Sequence, residues 1–330
     1  MRRFSRRDFL KAGGMAIGSA AMARILAACG MTQEQSPSQT TARSGASTAV
    51  PPTVEMASPE PGLPDLAVAR GGEPEDLVRR SIAALGGMSR FVANGANVVI
   101  KPNICVAYHP YEYGATTNPW IVATLVKLCL ESGAASVKVL DFPFGGTQPA
   151  AYAISGIQEQ VQAAGGMMVM MPAFKFVKTL IRDATRLKQA NVFEGVLKAD
   201  TVINVPIAKV HGLSRLTLGM KNLMGTVLDR PGLHSHLSEN LVDLASLVRP
   251  KLTVVDAVRI MVSNGPTGGS LDDVKKLDTV IASPDLVAAD SYGATLFGLQ
   301  PDDLAYVVAG AARGLGRKDL ENLRIEEIHI

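Results

Sequence analysis

The sequence lacks the residue patterns that mark the common classes of enzyme. Its three cysteines form no C-x-x-C pattern, which excludes a recognisable ligand set for zinc or an iron–sulfur cluster. Cys105 and Cys129 could pair as a disulfide, but the apolar helical run around Cys129 favours two buried thiols. No G-x-S-x-G or H-E-x-x-H motif is present, and no glycine run fits a P-loop or a dinucleotide-binding fingerprint. No fixed-period repeat is present either, which argues against a solenoid.

The chain also has little net charge outside its N-terminus. The whole sequence carries 33 basic and 30 acidic residues, but six of the basic residues and one of the acidic residues precede residue 29. The remainder therefore carries 27 basic and 29 acidic residues. A near-neutral body removes the electrostatic case for nucleic acid as a partner.

No N-terminal hydrophobic run is long enough for a secure membrane span. The apolar stretch covers only residues 12–28, is rich in Ala and Gly, and contains Arg24. A spanning helix needs about 20 strongly apolar residues. The stretch follows Ser5-Arg6-Arg7-Asp8-Phe9-Leu10-Lys11, which matches the twin-arginine export signal. We therefore favour a cleaved signal peptide over a permanent anchor.

Cys29 ends a segment that is typical of exported lipoproteins. Leu26-Ala27-Ala28-Cys29 resembles a lipobox, in which the cysteine is diacylated and becomes the mature N-terminus. The alternative is that a general signal peptidase cuts nearby and that Cys29 has no role. The lipobox predicts a lipoprotein that is held at a membrane and faces the periplasm or another extracytoplasmic space. Its partner in export would be the twin-arginine translocation machinery.

Composition divides the chain into three regions. Residues 1–28 form the signal segment, residues 29–62 predict a flexible Ser/Thr/Pro-rich tether, and residues 63–330 are globular in composition. In the globular region short β-like runs alternate with amphipathic stretches. This alternation predicts an α/β fold with a largely parallel sheet flanked by helices, as a single large domain or two closely joined lobes. Strands are predicted at 66–69, 97–100, 137–140, 167–171, 201–205, 252–255 and 279–282, and helices at 74–92, 119–132 and 149–164.

Polar residues follow five of the predicted strands. Because ligands bind outside the carboxyl ends of parallel strands, we expect these residues to share one rim. The alternative is that loops are polar wherever a strand ends. The residues are Lys101-Pro102-Asn103, Asp141, the segment 206–211, Asp256 and Ser283-Pro284-Asp285.

Two lysine-containing segments predict an anion site with a proton-transfer group. Lys209 and His211 lie two residues apart and would share one side of an extended chain, and Lys221 follows shortly after. Cations and amides could hold a carboxylate or phosphate while His211 transfers a proton. Solvated lysines, a structural histidine and ordinary glycine turns are the alternative. The predicted catalytic residues are His211, Lys209 and Lys221, and the predicted cofactor- or ligand-binding residues are Lys101, Asn103, Asn222, Gly265 and Gly268.

His234 and His236 are the candidates for a metal site. Two imidazoles at i, i+2 can face one metal from an extended loop, and Asp141 or Asp256 could complete such a site. A divalent metal is therefore the cofactor that these residues would suit. The alternative is an accidental pair of histidines in an exposed loop.

An ordered set of short motifs runs from about residue 98 to residue 316. The motifs are Lys101-Pro102-Asn103, Thr117-Asn118-Pro119, the run 204–211, Thr217-Leu218, Lys221-Asn222, Asp256, Gly265-Pro266, Asp285 and Asp290. In this order they resemble the domain of unknown function 362 family. That family has no agreed reaction, and many members look like iron–sulfur proteins with a ferredoxin-like cysteine cluster. This chain lacks the cluster, so the redox inference does not transfer. Members also tend to have a second lysine where this chain has Ile207.

Two hypotheses for function follow. The first is an enzyme or cofactor-dependent protein whose strand-end rim binds a small anionic ligand and acts on it by acid–base chemistry. The second is a lipoprotein that captures a ligand or serves as a scaffold without chemistry. An enzyme should lose turnover far more than affinity when His211 is removed.

Overall fold

Residues 61–330 are described in a computed structural model, and they fold around one large sheet. This part of the chain contains the twelve strands β1 (Leu66–Arg70), β2 (Asn97–Pro102), β3 (Ser136–Val139), β4 (Met167–Met168), β5 (Phe176–Leu180), β6 (Gln189–Phe193), β7 (Thr201–Val205), β8 (Ile207–His211), β9 (Arg215–Thr217), β10 (Leu252–Met261), β11 (Val274–Ser283) and β12 (Ile325–His329). Its ten α-helices are α1 (Pro74–Ala84), α2 (Pro119–Glu131), α3 (Gln148–Ile154), α4 (Ile157–Ala163), α5 (Glu194–Leu197), α6 (Gly219–Asn222), α7 (Arg230–Leu233), α8 (Leu237–Val248), α9 (Leu286–Thr295) and α10 (Ala305–Ala312).

The main sheet is mixed and mostly parallel. Eight strands follow one another in the order β12-β1-β11-β10-β7-β2-β3-β4, and β8 pairs with β10 and β9 beside this path. β11 runs antiparallel to both of its neighbours, whereas the remaining pairs along the path are parallel. β5 and β6 form a separate antiparallel pair. The predicted α/β class, with a largely parallel sheet flanked by helices, is confirmed.

Both faces of the sheet are buried, because helices cover each of them. In β1, Leu66 and Val68 belong to one apolar core, whereas Ala67 and Ala69 belong to the other. This alternation is the period of two that a strand imposes on its side chains. Helices α1, α2 and α4 pack on one face, and α8, α9 and α10 pack on the other. The loops at the strand ends are therefore the places where a ligand can reach the sheet.

One of the five predicted strand ends does not lie on the common rim. Ser283 ends β11, and β11 is antiparallel to β10, so its carboxyl end lies at the opposite edge of the sheet from the ends of β2, β3 and β7. The expectation that the Ser283-Pro284-Asp285 segment joins the same site was wrong. Asp285 instead caps helix α9, where its side chain accepts a hydrogen bond from the Ala288 N–H at 2.9 Å.

Several element boundaries also differ from the predictions. The helix expected at 149–164 is two helices, because Gly156 adopts a φ of 74° between α3 and α4. β10 and β11 continue well beyond the apolar runs that predicted them, as a long antiparallel pair. The β8–β9 hairpin was not predicted, because Pro206 separates β8 from β7 by a single residue.

Cys105 and Cys129 are both free and buried, which confirms the prediction of two thiols. Within residues 61–330 no helix is long and apolar enough to cross a membrane. The predicted signal segment, the lipobox at Cys29 and nearly all of the tether lie outside the described residues.

Candidate functional site

A cavity of about 650 Å³ opens at the carboxyl ends of β2 and β3, beside β8 and α6. Most of the residues that the sequence predicted for an anion site lie on its wall. Aromatic and aliphatic side chains form the rest of the lining, among them Phe142, Phe144 and Leu213. The polar lining consists of Lys101, Asn103, Cys105, Asp141, Lys209, His211, Thr217, Lys221, Asn222, Arg230 and His234.

Five of these residues are joined by hydrogen bonds into what we call the lysine–asparagine cluster, namely Lys101, Asn103, Asp141, Lys209 and Asn222. The Lys101 amine lies 2.8 Å from the Asp141 carboxylate and donates to Asn222 Oδ1 at 2.7 Å. It also donates to its neighbouring carbonyl, that of Pro102, at 3.0 Å. Lys101 therefore uses all three of its donors within the protein.

Lys209 extends the cluster through Asn103. Its amine donates to Asn103 Oδ1 at 2.9 Å and to the Ala115 carbonyl at 2.6 Å. The Asn103 amide donates in turn to Asn222 Oδ1 at 2.9 Å. Burial lowers the pKa of Lys209, and the nearby Cys105 and Asp141 oppose that effect. The cluster thus holds two lysines in a fixed arrangement away from solvent.

Close packing around Asp141 leaves no room for a side chain at Gly225. A Cβ there would lie 1.9 Å from Asp141 Oδ1 and 2.6 Å from Lys101 Nζ. Asp141 also accepts hydrogen bonds from the backbone N–H groups of Ile104 and Phe142, at 2.5 and 2.9 Å. Glycine at position 225 is therefore a requirement of the Lys101–Asp141 pair.

Lys221 faces the same cavity with a different set of contacts. Its side chain is 9% exposed, and the hydrogen-bond acceptor that its amine meets among the described residues is the thioether sulfur of Met224, at 3.1 Å. A thioether is a weak acceptor, so the ammonium is poorly stabilised. Burial, with repulsion from Lys209, lowers the pKa of Lys221 to about 8.

His211 is held as a neutral imidazole. Its Nδ1 accepts hydrogen bonds from the backbone N–H groups of Leu213 and Ser214, at 3.0 and 3.4 Å. Burial, followed by repulsion from Lys221 and Lys209, lowers the pKa of His211 to about 3. With Nδ1 accepting, the ring hydrogen lies on Nε2, which can donate to a ligand. Proton transfer by His211 stays a prediction, and this geometry makes hydrogen-bond donation its more direct role.

A buried carboxylate outside the cavity, that of Asp290, positions helix α6. Asp290 accepts hydrogen bonds from the Gly219 and Met220 N–H groups, at 2.5 and 2.9 Å, at the start of α6, which carries Lys221. Burial raises the pKa of Asp290 to about 7. These contacts give Asp290 a positioning role for α6.

Asp256 does not reach the cavity, contrary to the prediction that it joins the rim. Its two carboxylate oxygens accept from the N–H groups of Asn118 and Val258, at 2.7 and 3.0 Å. Burial raises its pKa to about 7. Asp256 therefore supports the start of α2 and the middle of β10, and it cannot orient a ligand directly.

The predicted metal set is not brought together. Asp141 and His234 line the cavity, whereas Asp256 is enclosed elsewhere and His236 contacts the Arg186 guanidinium. Across residues 61–330 no group of three or more His, Cys, Asp or Glu side chains is close enough to hold a metal ion. The structure therefore does not form the predicted site of His234 and His236 with Asp141 or Asp256.

The two glycines that were predicted to bind the ligand lie in different surroundings. Gly265 lines the cavity, and a Cβ on it would lie 2.0 Å from the Val210 carbonyl oxygen. Gly268 does not line the cavity, and its N–H already donates to the Asn264 carbonyl at 3.0 Å. Gly268 thus has no N–H to offer an anion.

Arg230 is the functional candidate that the sequence did not reveal. Its guanidinium lies 4.8 Å from the centre of the Phe142 ring and donates to the carbonyls of Phe142 and Pro143. No motif surrounds it in the sequence. Cys105 was identified only as a buried thiol, and it too lines the cavity, where burial raises its pKa.

The fold and the cavity define an α/β protein with a cation-lined pocket at its strand ends. Residues 98–295 match the family described as domain of unknown function (DUF362), and the chain belongs to that family. The predicted family resemblance is confirmed over these residues. A thylakoid-associated protein of Synechocystis sp. is 28% identical over 253 residues, which are 72% of this chain and 74% of that protein.

Two solved structures show weaker similarity. The lactate racemase apoprotein of Thermoanaerobacterium thermosaccharolyticum is 14% identical, with a TM-score of 0.43 over 70% of this chain. A Thermotoga maritima protein is 10% identical, with a TM-score of 0.37 over 69% of this chain. The chain spans 56% and 60% of the lengths of these two proteins.

Proposed function

We propose that the cavity binds a small organic anion. The observation that carries this proposal is a charge imbalance in the wall. Lys101, Lys209, Lys221 and Arg230 line the cavity, and Asp141 is the one carboxylate among its lining residues in the described part of the chain. Positive charge in a partly buried site costs free energy when no negative group lies beside it. The carboxylate or phosphate of a ligand would be such a group.

The wall also supports an organic ligand over a bare inorganic ion. Phe142, Phe144, Leu213 and Met224 line the cavity beside the cations. Ligand sites are typically clefts of about 300–1,000 Å³ with mostly apolar linings and a few placed polar groups. A molecule with an anionic end and a short apolar body would match both parts of the wall.

The proposal is tested by titration calorimetry of the purified full-length protein with oxalate, inorganic phosphate and oxamide. Oxamide has the shape of oxalate without its charge. We expect saturable binding of at least one of the two anions with a Kd below about 1 mM, weakening as salt is added, and no binding of oxamide. Equal binding of oxalate and oxamide, or no binding of either anion, would contradict the proposal.

Chemistry on the bound anion is part of the proposal, with Lys221 as the proton-exchanging group and His211 as a hydrogen-bond donor. The low pKa of Lys221 supports this assignment, because acid–base catalysts work best with a pKa near the working pH. Capture without chemistry is the second candidate. The fixed lysine–asparagine cluster favours it, because a rigid set of donors is what a binding protein needs.

Native mass spectrometry of protein purified from its exporting host separates these candidates. A capture protein should retain a stoichiometric small anion, which denaturation releases unchanged. If the protein is an enzyme, it should convert the released anion when fresh protein and the anion are mixed and the amount of anion is followed over time. Conversion that persists in the Lys221→Met variant would remove Lys221 from the mechanism.

We also propose that the chain is exported through the twin-arginine translocation machinery and tethered by lipid on Cys29. The N-terminal motifs support this, and so does a relative that is described as thylakoid-associated. Labelled palmitate should enter the protein and be lost in Cys29→Ala. Replacement of Arg6 and Arg7 by lysine should block export. Labelling that persists without Cys29 would contradict the lipid site.

A further inference from the structure

The three cavity lysines are not equivalent. The Lys101 amine has three oxygen acceptors, and the Lys209 amine has two. These contacts aim the hydrogens of both amines at protein atoms and hold the amines in place, while burial lowers the pKa of both lysines. Neither amine can turn toward a ligand without giving up hydrogen bonds within the protein.

Lys221 has no such restraint. Its amine makes no hydrogen bond to an oxygen atom within residues 61–330, and the hydrogen bond that it makes there is to Met224 Sδ. The charged groups that face it are mainly cationic: Lys209 on β8, Arg230 on α7 and Lys101 on β2, with the Cys105 thiol also nearby. A neutral amine is the form that tolerates these neighbours, and it is also the nucleophilic form.

We propose that Lys221 forms a Schiff base with the carbonyl group of an anionic aldehyde or 2-oxo acid bound in the cavity. The inference rests on the proposed anion site and adds a substrate class to it. Lys221 lines the same cavity as the cations that would hold the carboxylate or phosphate of the ligand, so its amine can meet a carbonyl carbon next to that group.

Formation of the Schiff base needs no oxidant or reductant. The lone pair of the neutral Lys221 amine attacks the carbonyl carbon and gives a carbinolamine after proton transfer from nitrogen to oxygen. Loss of the hydroxyl group with the second amine proton releases one water and leaves the C=N bond. His211 can assist by donating its Nε2–H to the carbonyl oxygen, because its Nδ1 is occupied by the N–H groups of Leu213 and Ser214.

The pKa of Lys221, lowered from 10.5 to about 8, agrees with this role. At pH 7 its neutral fraction is roughly 300 times that of an ordinary lysine. Lysines that form Schiff bases are activated in this way, by desolvation or by a neighbouring cation.

Reductive trapping on the full-length protein tests the inference. The protein is incubated at pH 7 with glyoxylate and sodium cyanoborohydride, and its peptides are analysed by mass spectrometry. Reduction of the imine leaves a carboxymethyl group on the lysine that reacted. We expect Lys221 to be modified at least about tenfold faster than Lys198, whose side chain is 73% exposed. Oxalate, which cannot form an imine, should suppress the modification of Lys221 and leave that of Lys198 unchanged.

The outcomes separate this inference from the proposed function. Modification of Lys221 no faster than that of Lys198, in protein that binds oxalate by calorimetry, would overturn the Schiff base and leave the anion site standing. Protein that neither binds oxalate nor traps glyoxylate would overturn both. The Lys221→Arg variant should lose trapping at this position, because a guanidinium does not form the imine. If it fails to fold, the wild-type rates and their response to oxalate still decide the question.

Discussion

The basic side chains on the two sides of the cavity have different hydrogen-bond partners. In the lysine–asparagine cluster, Lys101 and Lys209 donate to carboxylate, amide and carbonyl oxygens at 2.6–3.0 Å. On the other side, Lys221 meets a thioether, and His211 uses one ring nitrogen as an acceptor for backbone N–H groups. We call the pair of Lys221 and His211 the reactive side.

This difference in hydrogen-bond partners assigns a structural role to one group of residues in the site and a chemical role to the other. A buried charge with a full set of partners contributes to a fixed architecture, and removing one partner leaves the other uncompensated. A buried charge without oxygen partners costs folding free energy, and proteins commonly retain such groups where they act on a ligand. The cluster should therefore govern stability, and the reactive side should govern chemistry.

The largest expected effect comes from the cluster. Lys101→Met should lower the free energy of unfolding by about 3 kcal/mol, because it leaves Asp141 buried without its cation. Urea denaturation at pH 7 measures this loss. Lys198→Met is the matched control, since Lys198 is exposed and should change stability by less than about 0.5 kcal/mol. A neutral result for Lys101→Met would remove the distinction between the two sides.

Lys221→Met should change the free energy of unfolding in the opposite direction, by stabilising the protein. The folded state lowers the pKa of Lys221 from 10.5 to about 8, so it binds the proton less tightly than the unfolded chain does. Protonated Lys221 therefore costs folding free energy at pH 7, and the variant should be more stable by about 2 kcal/mol. The gain should shrink as the pH rises from 8 to 10.5, where the amine is neutral in the folded state and only half protonated in the unfolded chain. Denaturation at pH 7 and pH 10.5 measures it, and a loss of stability at pH 7 would contradict the account.

The smallest expected effect concerns His211. His211→Ala should weaken anion binding by about fivefold, or about 1 kcal/mol, because the ligand loses one neutral hydrogen-bond donor. His236→Ala is the matched control, since His236 contacts Arg186 outside the cavity. Calorimetry with oxalate compares the two variants. Equal affinities would show that His211 does not contact the anion.

The sequence predicted the α/β class of the fold and the lysines that line the cavity, but not the direction of every strand. The positions of Lys101, Lys209 and Lys221 followed from strand ends and from short motifs, which are local signals. The direction of β11 did not, because an antiparallel strand in a mostly parallel sheet is set by pairing with β1 and β10 far along the chain. Asp256 was misplaced for a related reason, since its backbone partner Asn118 is 138 residues away.

Arg230 shows the limit of motif reasoning. It enters the cavity on α7, a four-residue helix that forms after the chain has left the sheet. No spacing in the sequence relates it to the lysines of β2 or β8. The sequence also grouped Lys209 with Lys221 as a catalytic residue, because the oxygen acceptors of Lys209, at Asn103 and Ala115, come from distant parts of the chain.

Proton uptake on binding tests the central claim most directly. Oxalate is titrated into the full-length protein at pH 8.5 in two buffers with different enthalpies of ionisation. If the anion sits beside Lys221, it raises the pKa of that amine, and binding should take up a substantial fraction of one proton in the wild type and much less in Lys221→Met. Binding with the same heat in both buffers, or uptake that is unchanged in the variant, would contradict the claim that the anion neutralises the positive charge of the reactive side.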